Sequence, residues 1–114
     1  MNTRKLDITT AADGTFSADI QTPGRIHAVS LVIGDLSTPD LSCTDLLTGA
    51  SVLVDGAVGA TTRYQPRIVG NLNTDGTGLA DPNFVTPVVL NKMHVTIISG
   101  GDTKSGTLYV THGA

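Results

Sequence analysis

Apolar and polar residues alternate along much of the chain with a period of two, which is typical of β-strands that bury one face. Residues 5–10 alternate in this way, and residues 15–20 resume the pattern after a break that contains Asp13-Gly14. Because Asp-Gly between β-branched runs favours a tight turn, the two segments are predicted to pair as a hairpin. Of their inward side chains, Leu6, Ile8, Phe16 and Ile20 form a predicted half-core.

The longest apolar run of the first half, residues 25–33, does not keep a single phase. Ile26 and Ala28 fall on one parity, whereas Leu31 and Ile33 fall on the other. Such a run indicates either a β-bulge that shifts the phase or a strand whose two faces are both buried. The sequence leaves both interpretations open.

Further short segments are predicted to be strands: residues 41–44, 51–54, 61–68, 88–90, 94–98 and 107–111. The first two flank a turn at residues 47–49, and the last two are predicted to form a hairpin around residues 100–106. Pro66 cannot donate a backbone hydrogen bond, which favours an edge position for its strand. About eight strands at this spacing predict an all-β fold, a single-domain antiparallel β-sandwich or jelly-roll-like barrel.

The domain is predicted to span residues 5–114. Residues 1–4 carry no apolar pattern and are predicted to form a flexible N-terminal arm. Residues 69–91 are rich in Asn, Asp, Gly and Pro and are predicted to form one long loop. A loop of that length in a compact domain is uncommon, and it is usually functional or ordered by a partner.

Composition supports the all-β prediction. All ten acidic residues are aspartate, which prefers turns to helices, and the absence of tryptophan leaves Val, Ile and Leu to build the core. The net charge of -3 argues against a nucleic-acid partner, which needs clustered Lys and Arg. Cys43 is the single cysteine, so no intrachain disulfide can form. With no signal-like N-terminus and no apolar stretch of membrane-spanning length, the chain is expected to fold in a reducing cytoplasm without a membrane partner.

Two parts of the sequence are candidates for protein contacts. Arginine and tyrosine are enriched at interfaces, although charges on an edge strand can also serve to block aggregation, and both interpretations stay open for residues 63–67. Apolar side chains in the long loop need a cover, supplied either by the domain itself or by a neighbouring subunit. The predicted interface residues are Arg4, Arg63, Tyr64, Arg67, Leu72, Leu79, Phe84 and Val85.

No catalytic, metal or cofactor motif is complete. Residues 71–76 match the first half of a calcium loop, but Pro82 stands where the closing glutamate belongs, so a surface turn is predicted and calcium binding remains the alternative. Residues 101–105 contain a Lys-Ser pair without the preceding glycine of a phosphate-binding loop. The three histidines lack ligand spacing, and no serine lies in a Gly-x-Ser-x-Gly motif. The chain is therefore predicted to be non-enzymatic, without cofactor or metal.

Several segments together resemble a family of small virion proteins of tailed bacteriophages. They are residues 5–10 with the Asp13-Gly14 turn, residues 24–29, residues 94–97 and the glycine-rich turn at 100–106. The resemblance covers about half of the chain. It implies a β-sandwich component of the phage head or neck, commonly a decoration (cement) protein. The Asn-, Asp- and Pro-rich segment from residue 71 to 87 matches no family motif, so the resemblance does not carry over a contact surface.

The expected function is therefore that of a head decoration protein that stabilises the major capsid lattice. Its partners would be the major capsid protein or neighbouring virion subunits, and the chain itself would form a homo-oligomer on the particle. Its location would be the virion after assembly in the bacterial cytoplasm. One alternative is a neck or tail component, such as a stopper, collar or tube subunit. Another is a free carbohydrate- or ligand-binding β-sandwich, although an aromatic content of 4% counts against sugar stacking.

Overall fold

Two antiparallel β-sheets pack face to face in the structure, a computed structural model that describes residues 1–69 and 84–114. The strands are β1 (Asn2–Thr9), β2 (Phe16–Gln21), β3 (Gly24–Val32), β4 (Asp40–Asp45), β5 (Ser51–Asp55), β6 (Thr62–Tyr64), β7 (Ile68–Val69), β8 (Phe84–Val85), β9 (Val88–Val89), β10 (Lys92–Ile98) and β11 (Ser105–Gly113). No helix occurs in these ranges. The predicted all-β fold is confirmed, and its two sheets make it a single-domain sandwich.

Each sheet draws strands from both halves of the chain. Sheet I has the order β1-β11-β3-β6, and β9 pairs with the beginning of β3 on the same side as β6. Sheet II has the order β2-β10-β4-β5. Strands β7 and β8 form a separate two-stranded ribbon, the β7–β8 ribbon.

Both predicted terminal hairpins are wrong, because consecutive strands there enter different sheets. β1 pairs with β11 in sheet I, whereas β2 pairs with β10 in sheet II. The turns at residues 11–14 and 100–104 bond to each other: the Gly100 amide donates to the Gly14 carbonyl at 2.9 Å. The Thr10 hydroxyl donates to the Gly101 carbonyl at 2.6 Å and accepts from the Lys104 amide at 2.8 Å. The glycine-rich turns therefore carry the chain across the core.

The phase change in β3 comes from a β-bulge, one of the two predicted interpretations. Thr111 pairs with Ala28 and His112 pairs with Ile26, so His27 is an extra residue on β3. A bulge counts two residues against one, which places Ile26 on the same face as Val29. Both belong to the central core cluster.

The N-terminal boundary differs from the prediction. β1 begins at Asn2, and residues 2–4 pair with His112, Thr111 and Val110 of β11. A predicted domain start at residue 5 is therefore wrong, because backbone pairing needs no apolar pattern in the edge strand. Within the predicted 69–91 loop, β8 and β9 are short strands; residues 70–83 lie outside the described ranges.

Other local predictions are confirmed. β4 and β5 pair around the turn at residues 47–49, where Gly49 has a positive φ of 74° and donates to the Asp45 carbonyl at 2.7 Å. The predicted edge position also holds, because β6 lies at one edge of sheet I. The predicted strand at 61–68 is too long, however: β6 covers only residues 62–64, and Pro66 lies between β6 and β7.

Aliphatic side chains from both sheets form the core, as the composition predicts. The fully buried members include Ile8, Ile26, Val29, Leu31, Leu41, Val95, Ile97, Leu108 and Val110. Each such side chain contributes roughly 1.5–3 kcal/mol through removal from water. Cys43 is buried among them, and this burial raises the pKa of its thiol to about 12.

Candidate functional site

A surface groove lies where β3, β8 and β9 meet the residue that precedes the β7–β8 ribbon. Its cavity volume is about 480 Å³, and it is lined by Arg25, His27, Arg67, Val85, Thr86 and Val88. We call this site the arginine groove. A volume of this size falls within the range of roughly 300–1,000 Å³ that ligand-binding clefts have.

The bulge in β3 and the pairing of β9 build the groove. Arg25 pairs with Val88 across β3 and β9, which brings a guanidinium and an isopropyl group to one place on the surface. The Ile26 amide donates to the Pro87 carbonyl at 2.9 Å, which extends the pairing by one residue. His27, the extra residue of the bulge, is half-buried, and its Nε2 lies 3.2 Å from the Ala114 carbonyl oxygen.

The groove combines positive charge with exposed aliphatic surface. Val85 is 43% exposed and Val88 is 55% exposed, and both arginines are exposed as well. Within residues 1–69 and 84–114, ion pairs join only Lys5 to Asp7 and His94 to Asp19. No carboxylate of the described part therefore lies within 4.0 Å of Arg25 or Arg67.

The structure brings two of the predicted interface residues, Arg67 and Val85, into this groove. Arg67 also donates from Nη1 to the Pro66 carbonyl at 2.8 Å, which fixes part of its side chain at the wall. Leu72 and Leu79 lie outside the described residues. Phe84 is placed only as a backbone position of β8.

The remaining predicted residues lie elsewhere on sheet I. Arg4 is on β1, the strand at the opposite edge from β6, and pairs with Val110. Arg63 is exposed on β6 and pairs with Ser30. Neither residue lines the groove.

Tyr64 connects the edges of the two sheets. Its hydroxyl donates to Asp55 Oδ2 at 2.8 Å, joining β6 of sheet I to β5 of sheet II. Burial raises the pKa of Tyr64 to about 12, and the hydrogen bond to the Asp55 carboxylate adds to the increase. The hydroxyl is thus engaged within the chain, so we assign Tyr64 a role in holding the sandwich edge.

Two other depressions have less convergent chemistry. One, of about 400 Å³, lies at the surface of sheet II and is lined largely by aliphatic and hydroxyl side chains, including Val54 and Ile98. The other lies among the turns at residues 12–14, 37–38 and 99–102. Its two carboxylates accept hydrogen bonds from neighbouring threonines: Asp13 from Thr15 and Asp102 from Thr103. Those bonds stabilise the turns.

The histidines occupy three separate environments. His94 Nδ1 lies 2.7 Å from Asp19 Oδ1 on sheet II, and buried His112 bonds through Nδ1 to the Pro23 carbonyl at 2.9 Å. Among the residues the structure describes, no group of three or more His, Cys or Asp side chains is placed to hold a metal ion. The candidate calcium loop, residues 71–81, lies outside that part. No helix in the described ranges is long and apolar enough to cross a membrane.

Comparison with known proteins yields no match among family models, curated proteins or solved structures.

Sequence reasoning missed four residues of the groove: Arg25, His27, Thr86 and Val88. The available signal was a charged residue and a histidine inside the otherwise apolar run of residues 25–33. A bulge in that run turns extra side chains toward the surface, and bulges are over-represented beside functional sites.

Proposed function

We propose that this protein is a non-enzymatic structural component of a bacteriophage virion, a head decoration protein that stabilises the major capsid lattice. The observation that carries the proposal is the arginine groove, an open surface that joins guanidinium groups to exposed valines. Arginine is enriched at surfaces that bind other proteins, and the exposed valines beside it add apolar area that would leave water on binding.

The fold supports the proposal in a second way. Backbone pairing joins β3 to β9, and the long strands bury their apolar faces in one core, so these groove positions are in place before a partner binds. Preorganised surfaces of this kind lose little conformational entropy on association. Repeated contacts over a symmetric shell then multiply a modest affinity per copy.

Copy number in purified particles tests the proposed function. Quantitative mass spectrometry of gradient-purified virions, produced from a genome that carries the gene, should find the chain at a fixed ratio to the major capsid protein, on the order of hundreds of copies per particle. A count near a dozen would instead favour the neck or tail alternative. Absence of the chain from the particles would exclude both virion locations.

A further inference from the structure

The arginine groove carries positive charge on a chain whose net charge is -3. Arg25 and Arg67 line it together with His27, and no carboxylate in residues 1–69 or 84–114 lies within 4.0 Å of either arginine. The walls are aliphatic, because Val85 and Val88 lie exposed beside the charges. A fitting ligand must therefore supply both negative charge and apolar side chains.

We propose that the groove binds an acidic segment of a partner protein, in which aspartate or glutamate residues stand beside aliphatic residues. The guanidinium group presents paired N–H donors that match a carboxylate bidentately. The aliphatic side chains of the same segment would lie against Val85 and Val88 and leave water. This inference rests on the proposed function and names the chemistry of the partner.

The composition of the groove favours a protein segment over a nucleic acid. Single-stranded nucleic acid is bound by aromatic stacking on a groove with many cations, and the lining residues that the structure describes include no Phe, Tyr or Trp. Affinity for a nucleic acid comes largely from counterion release and grows with the number of phosphates that the protein neutralises. Two arginines would neutralise only a few phosphates and so give weak binding. A sugar–phosphate backbone also lacks the apolar side chains that could pack against the exposed valines.

The distribution of charge over the two sheets would orient the partner. On the strands of sheet I, four basic residues stand against one acidic residue: Arg4, Lys5, Arg25 and Arg63 against Asp7. On the strands of sheet II the balance is reversed, with Asp19, Asp40, Asp45 and Asp55 against Lys92. An acidic partner would therefore be directed to sheet I and repelled from sheet II, and its association rate should fall as salt is raised.

The test uses the purified full chain and synthetic probes in an NMR titration of backbone amides. The first probe is a capped pentapeptide of alternating valine and aspartate, and the second replaces each aspartate by asparagine. Inorganic phosphate and oligothymidylate form the other arms. We expect the acidic peptide to shift the amides of Arg25, His27, Val85 and Val88, and to bind at least tenfold more tightly than the asparagine peptide.

Charge reversal supplies the matched variants. Arg67→Glu should weaken the acidic peptide at least tenfold, whereas Lys92→Glu, which makes the same charge change on sheet II, should leave its affinity within twofold. The double variant Arg25→Glu with Arg67→Glu should instead bind a pentapeptide of alternating valine and lysine. An unchanged amide spectrum outside the groove shows that each variant is folded.

Three outcomes would overturn the proposal: equal binding of the acidic and asparagine peptides, amide shifts that map to another surface, or tighter binding of phosphate or oligothymidylate than of the acidic peptide. These outcomes are independent of the virion count. If the chain is present in particles but does not bind the acidic peptide, the proposed function stands and only this inference is wrong.

Discussion

Removal of one hydroxyl, by Tyr64→Phe, should loosen the edge at which the two sheets meet. The Tyr64 hydroxyl donates to Asp55 Oδ2 at 2.8 Å, and this bond joins β6 to β5 across the sandwich. The phenylalanine ring keeps the apolar contact that Tyr64 makes with the core. The substitution therefore isolates the hydrogen bond.

The expected loss follows from the charge of the acceptor. Hydrogen bonds to charged groups contribute about 1.5–3 kcal/mol, compared with about 1 kcal/mol for neutral pairs. Tyr64 is half-buried, so solvent screens part of the interaction and we expect a value near the lower end, about 1.5–2 kcal/mol. With a urea m-value of about 1–2 kcal/mol/M, the unfolding midpoint should fall by about 1–2 M.

Urea unfolding followed by circular dichroism measures this loss, and Tyr109→Phe is the matched control. Tyr109 is 38% exposed on the strand β11 of sheet I, so removal of its hydroxyl should change the free energy of unfolding by less than about 0.5 kcal/mol. Equal losses in the two variants, or a loss below 0.5 kcal/mol for Tyr64→Phe, would refute the role given to the Tyr64–Asp55 bond.

The same bond predicts a stability change at alkaline pH. The pKa of Tyr64 is raised from 10.0 to about 12 in the folded chain, so its contribution is complete below pH 10 and is lost as the pH rises toward 12. The wild type should therefore lose stability over that interval, and Tyr64→Phe should lose less.

Three further predictions follow from local geometry. The Thr48 hydroxyl, 2.6 Å from Asp45 Oδ2, lowers the pKa of Asp45 below 3.8 in the folded chain. The contribution of Asp45 to stability is therefore present above pH 3.8 and is lost as the pH falls through the lowered pKa. Asp45→Asn should flatten this part of a stability–pH curve obtained from urea melts. Burial raises the pKa of the Cys43 thiol to about 12, and only the thiolate form reacts with disulfide reagents. An aromatic disulfide reagent at pH 8 should therefore label Cys43 no faster than the chain unfolds. Rapid labelling without unfolding would contradict the placement of Cys43 in the core. Gly24 has a φ of +97°, and a Cβ added there would lie 2.5 Å from the Gly113 carbonyl oxygen on β11. Gly24→Ala should therefore lower the free energy of unfolding by about 1–3 kcal/mol in a urea melt. Gly59→Ala is the control, because an added Cβ there meets nothing within 4 Å and should change the stability little.

Alternation of apolar and polar residues was sufficient to predict most strands. The pattern reports which face of a strand is buried, and that is a local property of the sequence. It also indicated the disturbed phase of residues 25–33, and the register around His27 identifies the cause as a bulge. Local signals therefore gave the fold class and much of the core.

Strand pairing could not be predicted in the same way. An Asp-Gly turn indicates that the chain reverses, but it does not determine whether the next strand joins the same sheet or crosses the core. Here the turn at residues 11–14 bonds to the turn at residues 100–104 rather than closing its own hairpin. The bond from the Gly100 amide to the Gly14 carbonyl joins residues 86 positions apart, and no local pattern contains it.

The arginine groove was only partly predictable for the same reason. Arg67 and Val85 were predicted because each stands in or beside a segment that looked like a contact surface. Arg25 and Val88 meet through the β3–β9 pairing, and His27 is placed by the bulge. Their convergence is a property of register, which single-sequence patterns specify weakly.

The most direct test of the account is incorporation of groove variants into particles. A phage that lacks the gene would be supplied in trans with the wild-type chain, with Arg67→Glu or with Lys92→Glu, and the ratio of the chain to the major capsid protein measured in gradient-purified virions. We expect the wild-type ratio for Lys92→Glu and at least a tenfold loss for Arg67→Glu, with equal amounts of folded protein in the cells. Incorporation of Arg67→Glu at the wild-type ratio would contradict the claim that the arginine groove holds the chain on the particle.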